Sequence, residues 1–272
     1  MREVEQMNLA TTRKWSDLLN EAVTEPGLIM KAYSSFHGYS IGNQIAAIAQ
    51  CNGLGIQPGP INTYQGWQRQ GRHVLRGQKA LWLCMPITTP KAKQETTDET
   101  DVPTGLRTLF VWRPRWFVLS QTDGEPVEIP KNPVWDKIRA LEALGVVETE
   151  FVLTDGNVMG YAKGREVAIS PLSQLPHKTL FHELAHVELG HTSEAELTDS
   201  ERTPRSLREV EAEAIALLIC ESLNLPGSEY CRGYIQNWLQ VDEIPEKSAQ
   251  RIFGGADRIL RAGYPKEWRN ER

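Results

Sequence analysis

Over much of its C-terminal half, the chain places apolar residues with the spacing of α-helices. One such stretch, residues 179–191, organises the rest of the prediction, because its apolar side chains recur every three or four positions. These side chains are Leu180, Phe181, Leu184 and Val187. Gly190 follows them and is a natural helix terminator. A second stretch, residues 207–220, contains neither Gly nor Pro and carries an apolar stripe, so it predicts another helix.

The same periodicities predict the remaining elements. Helical spacing indicates helices over residues 11–25, 41–51, 135–144, 230–241 and 246–262, and a short helix through Trp67. Strands are expected over residues 80–87, 107–119, 151–153 and 165–169. The polar segment from Thr88 to Gly105 is expected to be an exposed insertion.

These elements predict an α+β fold with two domains. A chain of 272 residues has room for two, and a linker rich in Pro, Gly and acidic residues occupies residues 121–132. We expect a small mixed α/β domain over residues 1–125 and a mainly helical domain with a small sheet over residues 126–272.

The first helix described above carries the pattern His-Glu-x-x-His. Residues four apart lie on one face of a helix, so His182 and His186 can offer two imidazole nitrogens to one metal ion. Glu183 is placed to reach a water at such a site. The pattern is typical of the zinc site of a metallopeptidase, with Glu183 as general base. The alternative is an amphipathic helix that carries two histidines by chance.

A zinc site of this type needs a third protein ligand and an open position. On the second helix, Glu209 and Glu213 are four apart and share a face. We predict that Glu209 is the ligand. Glu213 is predicted to contact a ligand histidine and hold its ring in place without binding the metal itself. Glu211 points elsewhere and is expected to be solvated or paired. His191 is a competing third ligand, although its spacing does not match the metzincin pattern.

The net charge of −5 alone argues against a nucleic-acid partner. The distribution of charge changes this picture, because no acidic residue lies between Glu25 and Glu95. The basic residues of that span are Lys31, Arg69, Arg72, Arg76, Lys79, Lys91 and Lys93. A second acid-free run, from Val102 to Thr122, contains three arginines. Such asymmetry indicates a polyanionic partner.

Aromatic residues are interleaved with these basic residues, which suits single-stranded DNA. Bases stack on aromatic faces while Arg and Lys follow the phosphates. The interleaved aromatic residues are Tyr64, Trp67, Trp82, Phe110, Trp112 and Trp116. The candidates for DNA contact are Arg69, Arg72, Arg76, Lys79, Trp67 and Tyr64. Half or more of the aromatic residues are expected in the core instead, since Trp and Phe dominate cores.

The composition also bears on the compartment. No apolar run is long enough to span a bilayer, and the first residues contain no apolar signal region. We therefore expect a cytoplasmic protein with no membrane partner. The four cysteines, Cys51, Cys84, Cys220 and Cys231, form no Cys-x-x-Cys pair and are expected to be reduced, mostly buried thiols.

Motifs in both halves resemble one known family. The N-terminal part resembles the single-stranded-DNA-binding domain of ArdC-type antirestriction proteins at Tyr39-Ser40 with Asn43, Tyr64-x-x-Trp67-x-x-x-Gly71-Arg72 and Phe117-x-x-Ser120-Gln121. The C-terminal part is similar to that family's zincin-like metallopeptidase domain at residues 179–186, Glu209-x-x-Ala212-Glu213 and Tyr234-Ile235-x-x-Trp238-Leu239. The stretch from His186 to His191 is one residue longer than in the family pattern.

The resemblance implies single-stranded-DNA binding, a Zn²⁺ or Mn²⁺-type site and protection of incoming mobile DNA. The chain also looks similar to SPRTN-type proteases, which digest proteins crosslinked to DNA. We therefore expect a gluzincin-type metalloendopeptidase that cleaves DNA-associated proteins. The strand at Arg165–Ser170, beside the metal helix, is expected to pair with the substrate backbone.

Two other functions remain open at this stage. One is a protein that protects single-stranded DNA by coating it, with a metal site that is not proteolytic. The other is a regulatory protease of the ImmA/IrrE type, which cuts a single repressor without DNA. The basic, acid-free span near the N-terminus argues against the second.

Overall fold

The computed structural model describes residues 14–90, 106–129, 131–152, 157–193 and 204–269. Within these residues the fold combines helices with small sheets, so the predicted mixed α and β class is confirmed. None of the helices in these ranges is long and apolar enough to cross a membrane. All four cysteines are free and buried.

The chain divides into two compact units. Among the described residues, the first unit contains residues 50–127, and the second contains residues 14–49 and those from 128 onward. One division therefore lies close to the boundary that we expected after residue 125. Residues 14–49 were expected in the first domain but belong to the second unit, because their helices pack on its C-terminal helices.

The first unit is built on an antiparallel sheet. Its strands are β1 (Ile61–Thr63), β3 (Leu81–Pro90) and β4 (Leu106–Val118), paired in the order β1-β4-β3. Strand β3 continues three residues beyond its predicted end at Ile87. Residues 91–105, most of the expected insertion, lie outside the described residues.

A short helix and a two-stranded ribbon complete this unit. Helix α4 (Tyr64–Arg69) begins where the Thr63 hydroxyl accepts a hydrogen bond from the Gly66 amide, a typical N-cap. Strand β2 (Arg72–Val74) then pairs antiparallel with β5 (Thr122–Gly124). The division between the two units falls within helix α3 (Ile41–Leu54).

The core of the second unit is formed by four long helices. They are α6 (Pro176–Glu188), α7 (Arg205–Ser222), α8 (Ser228–Leu239) and α9 (Glu246–Gly263). Helix α7 is buried continuously from Val210 to Ser222, because α6, α8 and α9 all pack against it. Its apolar stripe is thus enclosed, as the sequence predicts. The unit also contains the shorter helices α5 (Lys137–Leu144) and α10 (Lys266–Arg269).

Two further helices, α1 (Trp15–Thr24) and α2 (Leu28–Phe36), join this unit through a buried ion pair. Arg232 donates to a carboxylate oxygen of Glu221 and to the carbonyl oxygens that end α1. Glu221 in turn accepts a hydrogen bond from the Ile29 amide in the first turn of α2. Helix α2 was not predicted, although its buried apolar residues recur at helical spacing.

A small sheet lies beside α6. It contains β6 (Val147–Glu148), β7 (Gly160–Lys163) and β8 (Glu166–Ile169) in the order β6-β8-β7. Strand β8 is parallel to β6 and antiparallel to β7. The strand predicted over residues 151–153 is misplaced: residues 151 and 152 are outside any strand, residue 153 lies outside the described residues, and the antiparallel partner of β8 is β7.

Candidate functional site

The helices α6 and α7 bring three metal-ligand groups together. His182 Nε2 lies 3.1 Å from His186 Nε2. Oε2 of Glu209 lies 3.5 Å from His182 Nε2 and 3.7 Å from His186 Nε2. Among the described residues this is the one group of at least three such side chains whose ligand atoms converge on a single point.

These distances fit a divalent ion. Zinc bonds of about 2.0–2.1 Å at tetrahedral angles would separate neighbouring ligand atoms by roughly 3.3 Å. The three separations between the ligand atoms, 3.1–3.7 Å, bracket that value. Two neutral imidazoles and one carboxylate are also the donor set that suits zinc and similar ions. The residues present therefore fit a metal with an open position.

Glu213 stands behind His182, on the side away from the convergence point. Its Oε1 lies 3.2 Å from His182 Nδ1 and 2.6 Å from Lys178 Nζ. Burial alone would raise the pKa of Glu213, but His182 and Lys178 outweigh it and hold that pKa at about 2. Glu213 thus stays ionised and can fix the ring of His182, which is the role the spacing predicts.

Glu183 faces the same cleft, whose volume is about 440 Å³. Its side chain is 7% exposed, and burial raises the pKa of its carboxyl although the two histidines oppose the shift. A raised pKa makes the carboxylate a stronger base towards a water molecule in the cleft. Glu183 therefore combines the position and the pKa direction of a general base.

Strand β7 also forms part of the cleft wall, through Gly160, Tyr161 and Ala162. The strand expected to pair with a substrate backbone, at residues 165–170, contains β8, which lies between β6 and β7. Strand β7 pairs with β8 along residues 166–169, whereas β6 pairs with it only at Glu166 and Val167. The strand that borders the cleft and occupies the sheet edge is β7.

Glu211 and His191 are paired with each other at the side of the cleft, whose lining includes His191. Glu211 is completely buried, and its Oε2 lies 2.9 Å from His191 Nε2. Of the two alternatives for Glu211, pairing is therefore observed and solvation is not. His191 Nδ1 lies 2.9 Å from His186 Nδ1, so neither ring nitrogen of His191 is directed at the metal site. Burial lowers the pKa of His191.

Two arginines of the cleft were missed by the sequence analysis. Arg205 and Arg208 line it next to Glu209. Their position three residues apart at the start of α7, on the turn that carries Glu209, was the available signal. Tyr234 was noted only through the family resemblance. The charges of Glu209 and Glu213 raise its pKa in addition to burial, which indicates that it lies near both acids.

The candidate DNA residues all lie in the first unit, and several are accessible. Arg69, Arg76 and Lys79 are exposed, and Tyr64 is 49% exposed. Phe110 on β4 is 70% exposed, which leaves an aromatic face open to solvent. These five side chains have the chemistry of a surface for single-stranded nucleic acid.

Two of the candidates have structural roles instead. Trp67 is 1% exposed, and its indole nitrogen donates to the Phe117 carbonyl oxygen at 2.8 Å. A ring without an open face cannot stack on a base, so the assignment of Trp67 to DNA contact is wrong. Arg72 donates to the Thr122 hydroxyl at 2.8 Å and to the Gly124 carbonyl at 3.0 Å. Its guanidinium therefore links β2 to β5 through these hydrogen bonds.

The N-terminal part of the chain matches a known protein family. Residues 1–112 match the family described as the N-terminal domain of anti-restriction factor ArdC. The match therefore includes residues 14–49, which pack in the second unit. No curated protein matches the chain.

Solved structures extend the likeness to most of the chain. The metal-free crystal structure of the antirestriction ArdC protein from plasmid R388 is 18% identical, with a TM-score of 0.52, and the alignment covers 92% of this chain and 94% of that one. The Mn(II)-bound structure of the same protein gives the same identity and TM-score, with 93% and 98% covered. The chain therefore shares its fold with an antirestriction ArdC protein over nearly its whole length.

Proposed function

We propose that this protein is a divalent-metal-dependent endopeptidase that binds single-stranded DNA and hydrolyses DNA-associated proteins. The observation that carries the proposal is the convergence of His182, His186 and Glu209 beside the buried Glu183 in an open cleft. The antirestriction identity of its structural relative, one form of which contains Mn(II), supports a role on mobile DNA. Zn²⁺ is the ion that the donor set favours, with Mn²⁺ as the other candidate.

When bound, the ion would polarise the scissile carbonyl and favour ionisation of water. The remaining chemistry belongs to the chain. His182, His186 and Glu209 would hold the ion, and Glu213 would fix the ring of His182 through Nδ1. Glu183 would accept a proton from the attacking water and then deliver it to the leaving amine. Its raised pKa makes the carboxylate a stronger base for the first of these transfers.

Strand β7 would hold the substrate. One of its edges pairs with β8, and no other described strand pairs with it. A peptide that added to this edge in extended form would run along the cleft wall past Glu183. The cleft of about 440 Å³ can accommodate several residues of such a peptide.

The first unit would supply the DNA contacts. Arg69, Arg76 and Lys79 would follow the phosphates, and the exposed rings of Tyr64 and Phe110 would stack on bases. Because both activities lie on one chain, a protein bound to the same strand would be present at a high effective concentration. Cleavage would thereby be restricted to DNA-associated proteins.

The peptidase step is tested with the Glu183→Gln variant. We would load the full chain with Zn²⁺ or Mn²⁺ and measure cleavage of a protein bound to single-stranded DNA. We expect the rate to fall at least about 100-fold while metal and DNA binding persist. Glu188→Gln, on the same helix but outside the cleft, serves as the matched control. Undiminished cleavage by Glu183→Gln would rule out the proposed role of Glu183.

A second candidate function is protection of single-stranded DNA by coating. The match of residues 1–112 to the ArdC N-terminal domain supports it, because coating requires only the DNA surface. It predicts that Glu183→Gln still protects DNA from restriction, whereas charge reversal at Arg69 and Arg76 abolishes protection. The peptidase function predicts loss of protection in both variants if proteolysis is required.

A further inference from the structure

The two candidate ligand histidines differ in the group that contacts Nδ1, the ring nitrogen that does not face the metal site. His182 contacts a carboxylate directly, since its Nδ1 lies 3.2 Å from Glu213 Oε1. His186 contacts a second histidine, since its Nδ1 lies 2.9 Å from His191 Nδ1. The carboxylate of Glu211 contacts the second histidine of this pair, since its Oε2 lies 2.9 Å from His191 Nε2.

The end of helix α6 creates this contact. Gly190 has a φ of +76°, which reverses the chain direction at little steric cost. The Gly190 amide donates to the Val187 carbonyl at 3.1 Å, and the His191 amide donates to the His186 carbonyl at 2.9 Å. This pair of bonds is a Schellman motif. It returns the His191 ring to the side of His186.

Geometry sets the order of donors and acceptors along this chain of side chains. His186 Nε2 lies 3.1 Å from His182 Nε2 and 3.7 Å from Glu209 Oε2, and a nitrogen that binds a metal there must offer its lone pair. His186 then carries its proton on Nδ1 and donates it to His191 Nδ1. His191 in turn donates from Nε2 to Oε2 of the fully buried Glu211, whose Oε1 lies 3.6 Å from Arg251 Nη1.

We propose that Glu211 and His191 are positioning residues that hold His186 in its Nδ1-protonated form, and that they thereby set the metal affinity of the site. This inference rests on the metal-binding part of the proposed function and is independent of proteolysis. Glu211 is completely buried, and His191 reaches the cleft wall with an exposed fraction of only 6%. Both ring nitrogens of His191 are engaged by His186 and Glu211, so the pair acts on the metal site through His186. Loss of an outer partner of this kind usually weakens metal binding 10–100-fold.

The first readout is the protonation pattern in the metal-free full-length protein. Long-range ¹⁵N–¹H spectra of the histidine side chains report which ring nitrogen carries the proton. We expect a proton on Nδ1 of His186 and on Nε2 of His191. A proton on Nε2 of His186 would overturn the proposal without any variant being made, so the test does not depend on whether a substitution folds.

The second readout is affinity, from titration of Zn²⁺ against a competing chelator. We expect His191→Phe, which keeps a ring but removes both nitrogens, to weaken binding about 10–100-fold. His191→Asn returns an acceptor near Nδ1 and should recover at least threefold of that loss. Wild-type affinity in a folded His191→Phe variant would overturn the proposal, as would equal loss in His191→Phe and His191→Asn.

The matched control is Glu221→Gln. Glu221 lies on the same helix as Glu211, is also buried and is paired with Arg232, and its hydrogen-bond partners among the described residues do not include His186. We expect Glu221→Gln to lower thermal stability without changing Zn²⁺ affinity. If Glu221→Gln weakened Zn²⁺ binding as much as His191→Phe, the loss of affinity would be explained by general destabilisation of the protein, and the proposal would be overturned. Absence of cleavage with the expected affinities would count against the proposed function only.

Discussion

Gly160 of β7 lies directly against Glu183 of α6. A β-carbon on Gly160 would stand 3.0 Å from Glu183 Oε1 and 2.6 Å from Thr179 Cγ2. Thus the closeness of the sheet edge to the candidate base depends on the absence of a side chain at this position. A strand that carried any larger residue here would have to move away from the helix.

We therefore predict that Gly160→Ala displaces either β7 or the Glu183 carboxylate. Peptidase activity should fall at least about tenfold, since misplacement of a reacting group by 1 Å can cost far more. Zn²⁺ affinity should change little, because the ligands are elsewhere. Steady-state rates and metal titration on one preparation measure both. Gly53→Ala, where a β-carbon meets open space, is the control, and full activity of Gly160→Ala would refute the prediction.

The two glutamates on the face of α7 should differ in their effect on metal binding. Glu209→Gln removes a direct ligand and should weaken Zn²⁺ affinity more than about 100-fold, whereas Glu213→Gln removes an outer partner and should weaken it about 10–100-fold. Competitive chelator titration gives both values, with the exposed Glu229→Gln as control. A larger loss for Glu213→Gln than for Glu209→Gln would reverse the assigned roles.

The exposed aromatic residues of the first unit should contribute to DNA affinity. Replacing Tyr64 or Phe110 by Ala should weaken binding of a single-stranded oligonucleotide by about 1–3 kcal/mol each, the usual contribution of one stacked base. Fluorescence anisotropy at fixed salt measures the change. Tyr230→Ala is the control, because this ring is 66% exposed but lies in the second unit. Unchanged affinity in both variants would place the DNA surface elsewhere.

Asp257 should make stability depend on pH. Its Oδ1 accepts a hydrogen bond from the Ile41 amide at 2.8 Å, while burial raises its pKa to about 6, against the opposing influence of that bond and of Arg261 and Arg258. A folded-state pKa above the unfolded value means that the folded state binds the proton more tightly. The contribution to stability is therefore largest near pH 4 and is lost as the pH rises through 6.

The Asp257→Asn variant isolates this contribution, because its amide oxygen can still accept from the Ile41 amide. The free energy of unfolding of the wild type should fall relative to the variant between pH 4 and 6, by roughly 2–3 kcal/mol at about 1.4 kcal/mol per pKa unit. His37 nearby has a pKa lowered by burial and titrates in both proteins, so it cancels in the difference. Parallel pH profiles from denaturant unfolding would contradict the prediction.

Local patterns in the sequence were sufficient for the metal-site helices. The four-residue spacing of His182 and His186, and of Glu209 and Glu213, assigns each pair to one helix face without tertiary information. The position of Gly190 predicted where α6 ends. The partner of Glu211 could not be predicted in the same way, because it depends on how a residue beyond the helix end folds back towards α7.

The errors have a common physical origin in tertiary context. Trp67 and Tyr64 are equally aromatic and only three residues apart, yet only the packing of α4 decides that Trp67 is enclosed and Tyr64 exposed. Strand β8 has a stronger apolar pattern than β7 because it is central, so pattern alone favoured β8 over the edge strand that borders the cleft.

The most direct test of the central claim is the dependence of proteolysis on single-stranded DNA. We would incubate the Zn²⁺-loaded full chain with a DNA-binding protein, with and without a single-stranded oligonucleotide, and follow cleavage of the substrate and of the chain itself. We predict that DNA accelerates cleavage about 10²–10⁴-fold, as expected when tethering raises the effective concentration. Equal rates with and without DNA would contradict the account. Tight DNA binding without cleavage would favour a protein that protects DNA by coating it.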